Sequence, residues 1–169
     1  LDKSFNINIF LKMCFHISIN SKKEIIENEM NATFDDSFDF QPKSHISAFS
    51  NPNIPVITSN KSHKIQLYYW GLIPNWVKDT KTANNLRKMT YNARYETITE
   101  KPSFKKSIQN KCLILADGFY EWETTSDGKI CHFINNRNNN IFAFAGIYSH
   151  WINKLDNNII KTVSIITQP

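Results

Sequence analysis

A chain of 169 residues, 41% hydrophobic, 13% aromatic and 21% charged, has the length of one domain and enough apolar material to bury a core. This excludes a disordered tail, a fibrous repeat and a protein with two full cores. Lys and Arg outnumber Asp and Glu by 20 to 15, and the net charge of +5 is compatible with a polyanionic partner without specifying one. The three cysteines at 14, 112 and 131 form no C-x-x-C pair and cannot complete a disulfide framework, so the chain reads as cytoplasmic. No apolar run approaches the ~18 residues of a membrane span.

Residues 1–12 carry acidic and polar interruptions where a signal peptide would have its hydrophobic stretch. Their Asn- and Ile-rich wording reads as a removed leader or a misplaced gene start, with translation beginning at Met13. Residues 13–19 alternate like a strand, and Ser21 is placed to cap a charged amphipathic helix over 21–30. An acidic, glycine-free loop over 31–43 follows. Strands are expected at 46–49, 54–58 and 64–70, with Pro52 and Pro55 confining the second to an edge or a bend. A second helix is expected over 103–109, between two long loops. Asp117-Gly118 reads as turn chemistry. Strand-like stretches at 131–134 and 141–147 flank the Asn-rich run 135–140, which reads as a hairpin turn, and Asn157-Asn158 breaks the pattern again before a final apolar run at 161–167. The sum is an α+β, predominantly β domain over 13–169, a curled or barrel-like mixed sheet with two or three flanking helices.

Only Arg87, Arg94 and Arg137 among the 20 cations are arginine. Lysine, asparagine and isoleucine dominate as in an AT-rich genome, so each arginine invites a role that needs its planar fork. On chemistry alone, Cys14 reads as a small buried hydrophobe. Asn92 reads as a turn or cap residue, Arg94 as a surface partner of Glu96, and Glu121 as a solvent-facing strand residue between Tyr120 and Trp122. Trp70 and Trp76 bracket a Gly-Leu-Ile-Pro-Asn loop; Trp70 is assigned to packing and Trp76 to a stacking surface. Lys105, Lys106 and Lys111 cluster around the second expected helix, with Lys78, Lys81 and Lys88 in the preceding loop.

Four segments carry a family resemblance: Met-Cys-Phe-His at 13–16, Trp-Gly-Leu-Ile-Pro-Asn-Trp at 70–76, Tyr-Asn-Ala-Arg-Tyr-Glu-Thr at 91–97, and Ala-Asp-Gly-Phe-Tyr-Glu-Trp at 116–122. In order and spacing they resemble the SRAP family, the SOS-response-associated peptidase proteins that crosslink themselves to abasic sites in single-stranded DNA. The resemblance implies that Cys14, freed as the mature first residue, presents an α-amine and a thiol that together trap the aldehyde of an abasic sugar as a thiazolidine. It makes Asn92 the residue that orients that cysteine and Glu121 the general acid/base. Arg94, Trp76, Lys105 and Lys106 become DNA contacts. No cofactor, metal or membrane partner is expected, and a monomer is expected because trapping one lesion needs one site, acting in the cytoplasm at the nucleoid.

The family's histidine, followed shortly by Arg or Lys, falls beyond the strand at 162–167. None of His16, His45, His63, His132 or His150 matches it, and the chain reads as lacking the family's C-terminal part. Two other readings stay open: a cysteine-dependent (auto)peptidase acting on the leader, and a non-catalytic single-stranded nucleic-acid-binding module. A metal site from Cys14, His16, Cys131 and His132 lacks the usual zinc spacing. Phosphate-loop, dinucleotide and zinc-deaminase motifs are absent from the sequence.

Overall fold

The computed structural model describes residues 13–35, 39–138 and 140–168, so the expectation for residues 1–12 lies outside the described residues. In chain order the elements are β1 (His16–Ile19), α1 (Lys23–Met30), β2 (Thr33–Phe34), β3 (Lys43–Ser47), β4 (Asn53–Thr58), β5 (Lys64–Trp70), α2 (Thr80–Arg87), β6 (Asn92–Arg94), α3 (Pro102–Lys105), β7 (Lys111–Ala116), β8 (Gly118–Thr125), β9 (Gly128–Ile134), β10 (Phe142–Ile152) and β11 (Ile159–Thr167).

Five strands close on themselves. β5, β4, β7, β10 and β11 follow one another, and β11 returns to β5 through the parallel pairs Thr162↔Tyr69 and Val163↔Trp70. Closure removes the unpaired edges that an open sheet of this length would expose. β2 and β6 extend the barrel as short parallel additions, β2 along β5 and β6 along β11. A second sheet, in the order β3-β1-β8-β9, packs beside it. The core is shared: Ile17 and Ile19 of β1, Ile54 and Val56 of β4, Ile114 and Leu115 of β7 and Val163 and Ile165 of β11 are all fully buried in one cluster. Each such aliphatic side chain contributes about 1.5–3 kcal/mol by leaving water.

The mostly β barrel with three helices among the described residues agrees with the fold class expected from sequence, and several local readings are corrected. Ser21 does not cap α1. Its N–H and hydroxyl both turn to Asp117 Oδ2, at 2.9 and 3.0 Å, and Lys22 stands at the cap position without a side-chain bond. β4 is not an edge strand, since β5 and β7 flank it; Pro55 is tolerated because the ladder to β7 begins only at Val56. The run 135–140 is not a hairpin turn. β9 pairs with β8 and β10 with β7 and β11, so this segment crosses from one sheet to the other. In this half of the chain the hairpins are β8–β9, turning at Ser126-Asp127 with Gly128 at φ +134°, and β10–β11, turning at Asn157 with φ +57°.

Within the expected loops lie β2 and α2. The α2 N-cap is Asp79, whose carboxylate accepts from the Thr82 N–H at 2.8 Å and the Thr82 hydroxyl at 2.8 Å. α2 packs back on the loop after β5 at Gly71. There φ is +107°, and a Cβ would come within 2.6 Å of the Arg87 carbonyl, so glycine is required both for conformation and for approach. Arg87 itself donates to the Trp70 carbonyl at 3.4 Å and lies over the Tyr69 ring at 4.6 Å.

Candidate functional site

Three elements from different parts of the chain meet at the residue before Phe15. Cys14 precedes β1 and is wholly buried. Its N–H donates to Asn92 Oδ1 at 3.0 Å, and its carbonyl accepts from Asn92 Nδ2 at 3.0 Å. One carboxamide thus satisfies both backbone groups of one residue across 78 positions of sequence, a geometry available only to Asn or Gln. Asn92 is held in turn by β6. Ala93, fully buried, pins that strand against β11, and the two-residue period leaves Asn92 and Arg94 on the opposite face. The Tyr91 carbonyl is fixed by Trp70 Nε1 at 2.9 Å and by the Ile165 N–H at 3.0 Å.

Glu121 enters from β8, just past the point where that strand leaves β1 at Ile17↔Phe119. Partial burial beside Phe15, Tyr120 and Trp122 raises its pKa above the usual carboxylate range, against a weaker opposing backbone hydrogen bond at Trp122. The Cys14 thiol is pushed up to about 12, first by burial and further by the Glu121 charge. Sγ donates to the His16 carbonyl at 3.8 Å.

Two clefts open on either side of Met13. The larger, about 640 Å³, is walled by Met13, Phe15, Met89, Tyr91, Asn92, Arg94 and Lys101 among others. The smaller, about 250 Å³, holds Glu121, His16, Trp122 and Lys129. Aromatic rings frame the mouth: Phe15 stacks on Phe49 at 5.2 Å, both meet Tyr91 edge-on, and His16 meets Trp122 edge-on at 4.8 Å. His16 Nδ1 lies 3.0 Å from His45 Nε2, and the His16 pKa is lowered by burial and then by His45.

Cys14 and Asn92 are therefore in direct contact, Glu121 lies in the neighbouring cleft with its charge acting on the Cys14 thiol, and Arg94 is exposed at the rim of the larger cleft. Arg94 makes no ion pair with Glu96; among the described residues the one ion pair is His132 with Glu123. Trp70 is buried and Trp76 is 41% exposed, its Nε1 donating to the Pro102 carbonyl at 3.2 Å. Lys105 and Lys106 are exposed on and just after α3, but neither lines the cleft at Asn92. The cations that do are Arg94, Lys88 and Lys101. Lys101, Phe49 and Tyr91 escaped sequence reasoning as site residues; Tyr91, next to Asn92 in a quoted segment, carried the one available signal. Among the described residues no three His, Cys, Asp or Glu side chains gather as a metal site. No helix of the described residues is long and apolar enough to cross a membrane.

A closed five-stranded barrel whose side sheet delivers a cysteine to an asparagine and a carboxyl defines a compact class of β proteins, and comparison with known proteins places it. The family model for SOS response associated peptidase (SRAP) matches residues 13–169. The chain belongs to the SRAP family. It is 35% identical over 158 residues to the abasic site processing protein YoqW of Bacillus subtilis, covering 92% of this chain and 68% of that protein. It is 34% identical over 110 residues to the abasic site processing protein HMCES of Xenopus tropicalis, covering 59% of this chain and 32% of that one. A crystal structure of a protein from Bacteroides thetaiotaomicron superposes with a TM-score of 0.84 at 37% identity, covering 92% of this chain and 68% of its own. One from Bordetella bronchiseptica shares the fold at a TM-score of 0.77 and 19% identity, covering 92% and 72%.

Proposed function

We propose that this protein recognises abasic sites in single-stranded DNA and traps them covalently through Cys14, in a form whose first residue is Cys14. The observation that carries the reading is the reciprocal pair of hydrogen bonds between Cys14 and Asn92 at the wall of a cleft rimmed by Arg94. The abasic-site-processing names of relatives at 35% identity support it.

The chemistry follows from an aminothiol. The Cys14 α-amine, neutral in useful fraction near its usual pKa of ~8, attacks the aldehyde of the ring-opened sugar, and the carbinolamine loses water to an imine. The thiol sulfur then adds to the imine carbon while its proton passes to nitrogen, which closes a five-membered thiazolidine. Asn92, already bonded to the backbone nitrogen of Cys14, holds that nitrogen in place. Glu121, with its raised pKa, donates to the departing water and takes and returns the proton during closure. A thiol pushed up to about 12 is a poor opening nucleophile at neutral pH, so the amine goes first. The same feature speaks against a thiolate-driven peptidase, because Sγ faces a backbone carbonyl rather than an imidazole. While Met13 is attached, the Cys14 nitrogen is an amide. Met13 lines both clefts together with Phe15, so its removal would open space on the Glu121 side and on the Asn92 side at the new terminus.

The test is direct. Protein expressed from Met13 is weighed intact, then incubated with single-stranded DNA bearing a true abasic site and run under denaturing conditions. We expect a mass beginning at Cys14 and a stable adduct, lost in Cys14→Ala and reduced roughly tenfold or more in Asn92→Ala. Binding that persists in Cys14→Ala, with no adduct from the native protein, would establish a non-covalent binding module instead.

A further inference from the structure

The stretch from Lys101 to Asn110, which includes α3, faces two cavities. Lys101, Ser103 and Phe104 line the cleft at Asn92; Lys106, Ser107 and Asn110 line a separate cavity of about 250 Å³. The remaining wall of that second cavity is polar, with Asn60, Asn75, Tyr148, Ser149 and His150. Lys106, which the family resemblance assigns to DNA, lines this cavity and not the cleft at Asn92.

Donors and positive charge dominate the cavity. Besides Lys106, the charges of Lys161 and Lys61 reach His150 and, after burial, hold its imidazole below its ordinary pKa. No carboxylate is among the residues that line the cavity. His150 turns its imidazole to the cavity, with Nε2 2.9 Å from the buried Tyr68 hydroxyl. Asn60 Oδ1 accepts from Thr58 Oγ1 at 2.7 Å, which leaves the Asn60 amide hydrogens to donate. A lysine, an imidazole, carboxamides and hydroxyls, with no acid in the lining and two further lysine charges acting on His150, suit a phosphate oxyanion.

The cavity also lies along the surface that leaves the cleft. Asn75 lines it, and the next residue, Trp76, spans back to α3 through Pro102. We propose that this cavity is a second phosphate site, occupied by a backbone phosphate of the strand that leaves the cleft over Trp76. The strand as occupant rests on the single-stranded DNA reading above; the oxyanion chemistry does not.

The probe is single-stranded DNA carrying a tetrahydrofuran abasic analogue, which has no aldehyde and cannot crosslink, in a short form limited to the nucleotides flanking the lesion and a form extended at both ends. We expect the extended form to bind roughly tenfold tighter, with a log–log salt slope steeper by about 0.7 for each added phosphate contact. In the double variant Lys61→Glu, Lys161→Glu the advantage of length should shrink to about twofold or less. That ratio is internal to each variant, so a general loss of stability does not imitate it. Inorganic phosphate titrated against the native protein, followed through the His150 imidazole resonances, separates the sources. Shifts in those resonances with a length advantage that survives the double variant would overturn the strand as occupant and leave a free anion. Neither effect would overturn the site. Because adduct formation with a true abasic site is measured separately, its failure alongside an intact length advantage would sink the crosslinking function and spare this inference.

Discussion

Glu121 shows how a single side chain in this site couples stability to chemistry. Its carboxyl is half-buried, and desolvation disfavours the charged form, so its pKa in the folded protein lies above the unfolded value. The sign follows from linkage: the folded state prefers the protonated carboxyl, so the contribution is fully present below the unfolded pKa and is lost as pH rises through the folded one. At neutral pH the ionised group is a liability that Gln would remove. We expect Glu121→Gln to melt at a higher temperature than the native protein at pH 7, with the gap closing as pH falls below the ordinary carboxylate range near ~4. Adduct formation should move the other way, falling in Glu121→Gln. Calorimetry across pH checks the first part, and equal melting temperatures at pH 7 would show that Glu121 is not desolvated. Sequence showed that Glu121 sits between aromatic residues, and the aromatic neighbours Tyr120 and Trp122 do line its cleft. What sequence could not show is that Asn92 turns both ends of its carboxamide to Cys14, 78 positions earlier in the chain.

At the level of elements, the residue that joins β1, α1 and β8 is Asp117, which sequence reasoning passed over as half of an Asp-Gly turn. Its Oδ1 accepts from the Ser18 hydroxyl at 2.6 Å, and its Oδ2 accepts from the Asn20 N–H at 2.6 Å and from the N–H and hydroxyl of Ser21. Those bonds replace the N-cap that Ser21 was expected to give α1. Charged acceptors of this kind contribute more than neutral ones, and removing the acceptor strands part-buried donors. Asp117→Ala should cost about 2–3 kcal/mol, read as a lower denaturant midpoint with an unchanged slope. Asp117→Asn should cost less, because the carboxamide can keep its oxygen at the three donors on the Oδ2 side and turn its amide to the Ser18 hydroxyl, which can accept; a loss as large as that of Asp117→Ala would refute the account. The strands of β4, β5 and β11 were legible because β-branched and aromatic runs stand between turn residues. α2 was not, because its sequence, Thr-Lys-Thr-Ala-Asn-Asn-Leu-Arg, buries only Ala83 and so shows almost no apolar period. Its one local signal was Asp79 three residues before Thr82. The segment 135–140 was misread for a different reason: an Asn-rich linker between two strands looks the same whether they pair with each other or belong to separate sheets.

Across the whole molecule, the candidate site straddles the junction between a closed barrel and an open sheet. Asn92 belongs to the barrel through β6 and β11, whereas Glu121 belongs to the four-stranded sheet, and Cys14 leads into that sheet while packing against the barrel's core. The two bodies differ in how well their hydrogen bonds are protected. β10 lies between β7 and β11, with much of its length buried. β9 is an edge with β8 as its neighbour, and six of its seven residues are exposed. Local opening costs least where few apolar contacts are lost. Amide hydrogen exchange should therefore be slowest in β7, β10 and β11, approaching the free energy of global unfolding, and faster by orders of magnitude in β9. Past Phe119, β8 has left β1, so Glu121 rides on the part of β8 whose pairing is to β9. Glu121 is consequently mounted on the more yielding part of the side sheet and Asn92 on the barrel, with Cys14 held between them by its hydrogen bonds to Asn92. Exchange in β9 as slow as that in β10 would contradict this division, while fast exchange in β9 with full protection at Ala93 would establish that Glu121 can shift relative to Cys14 without unfolding the barrel.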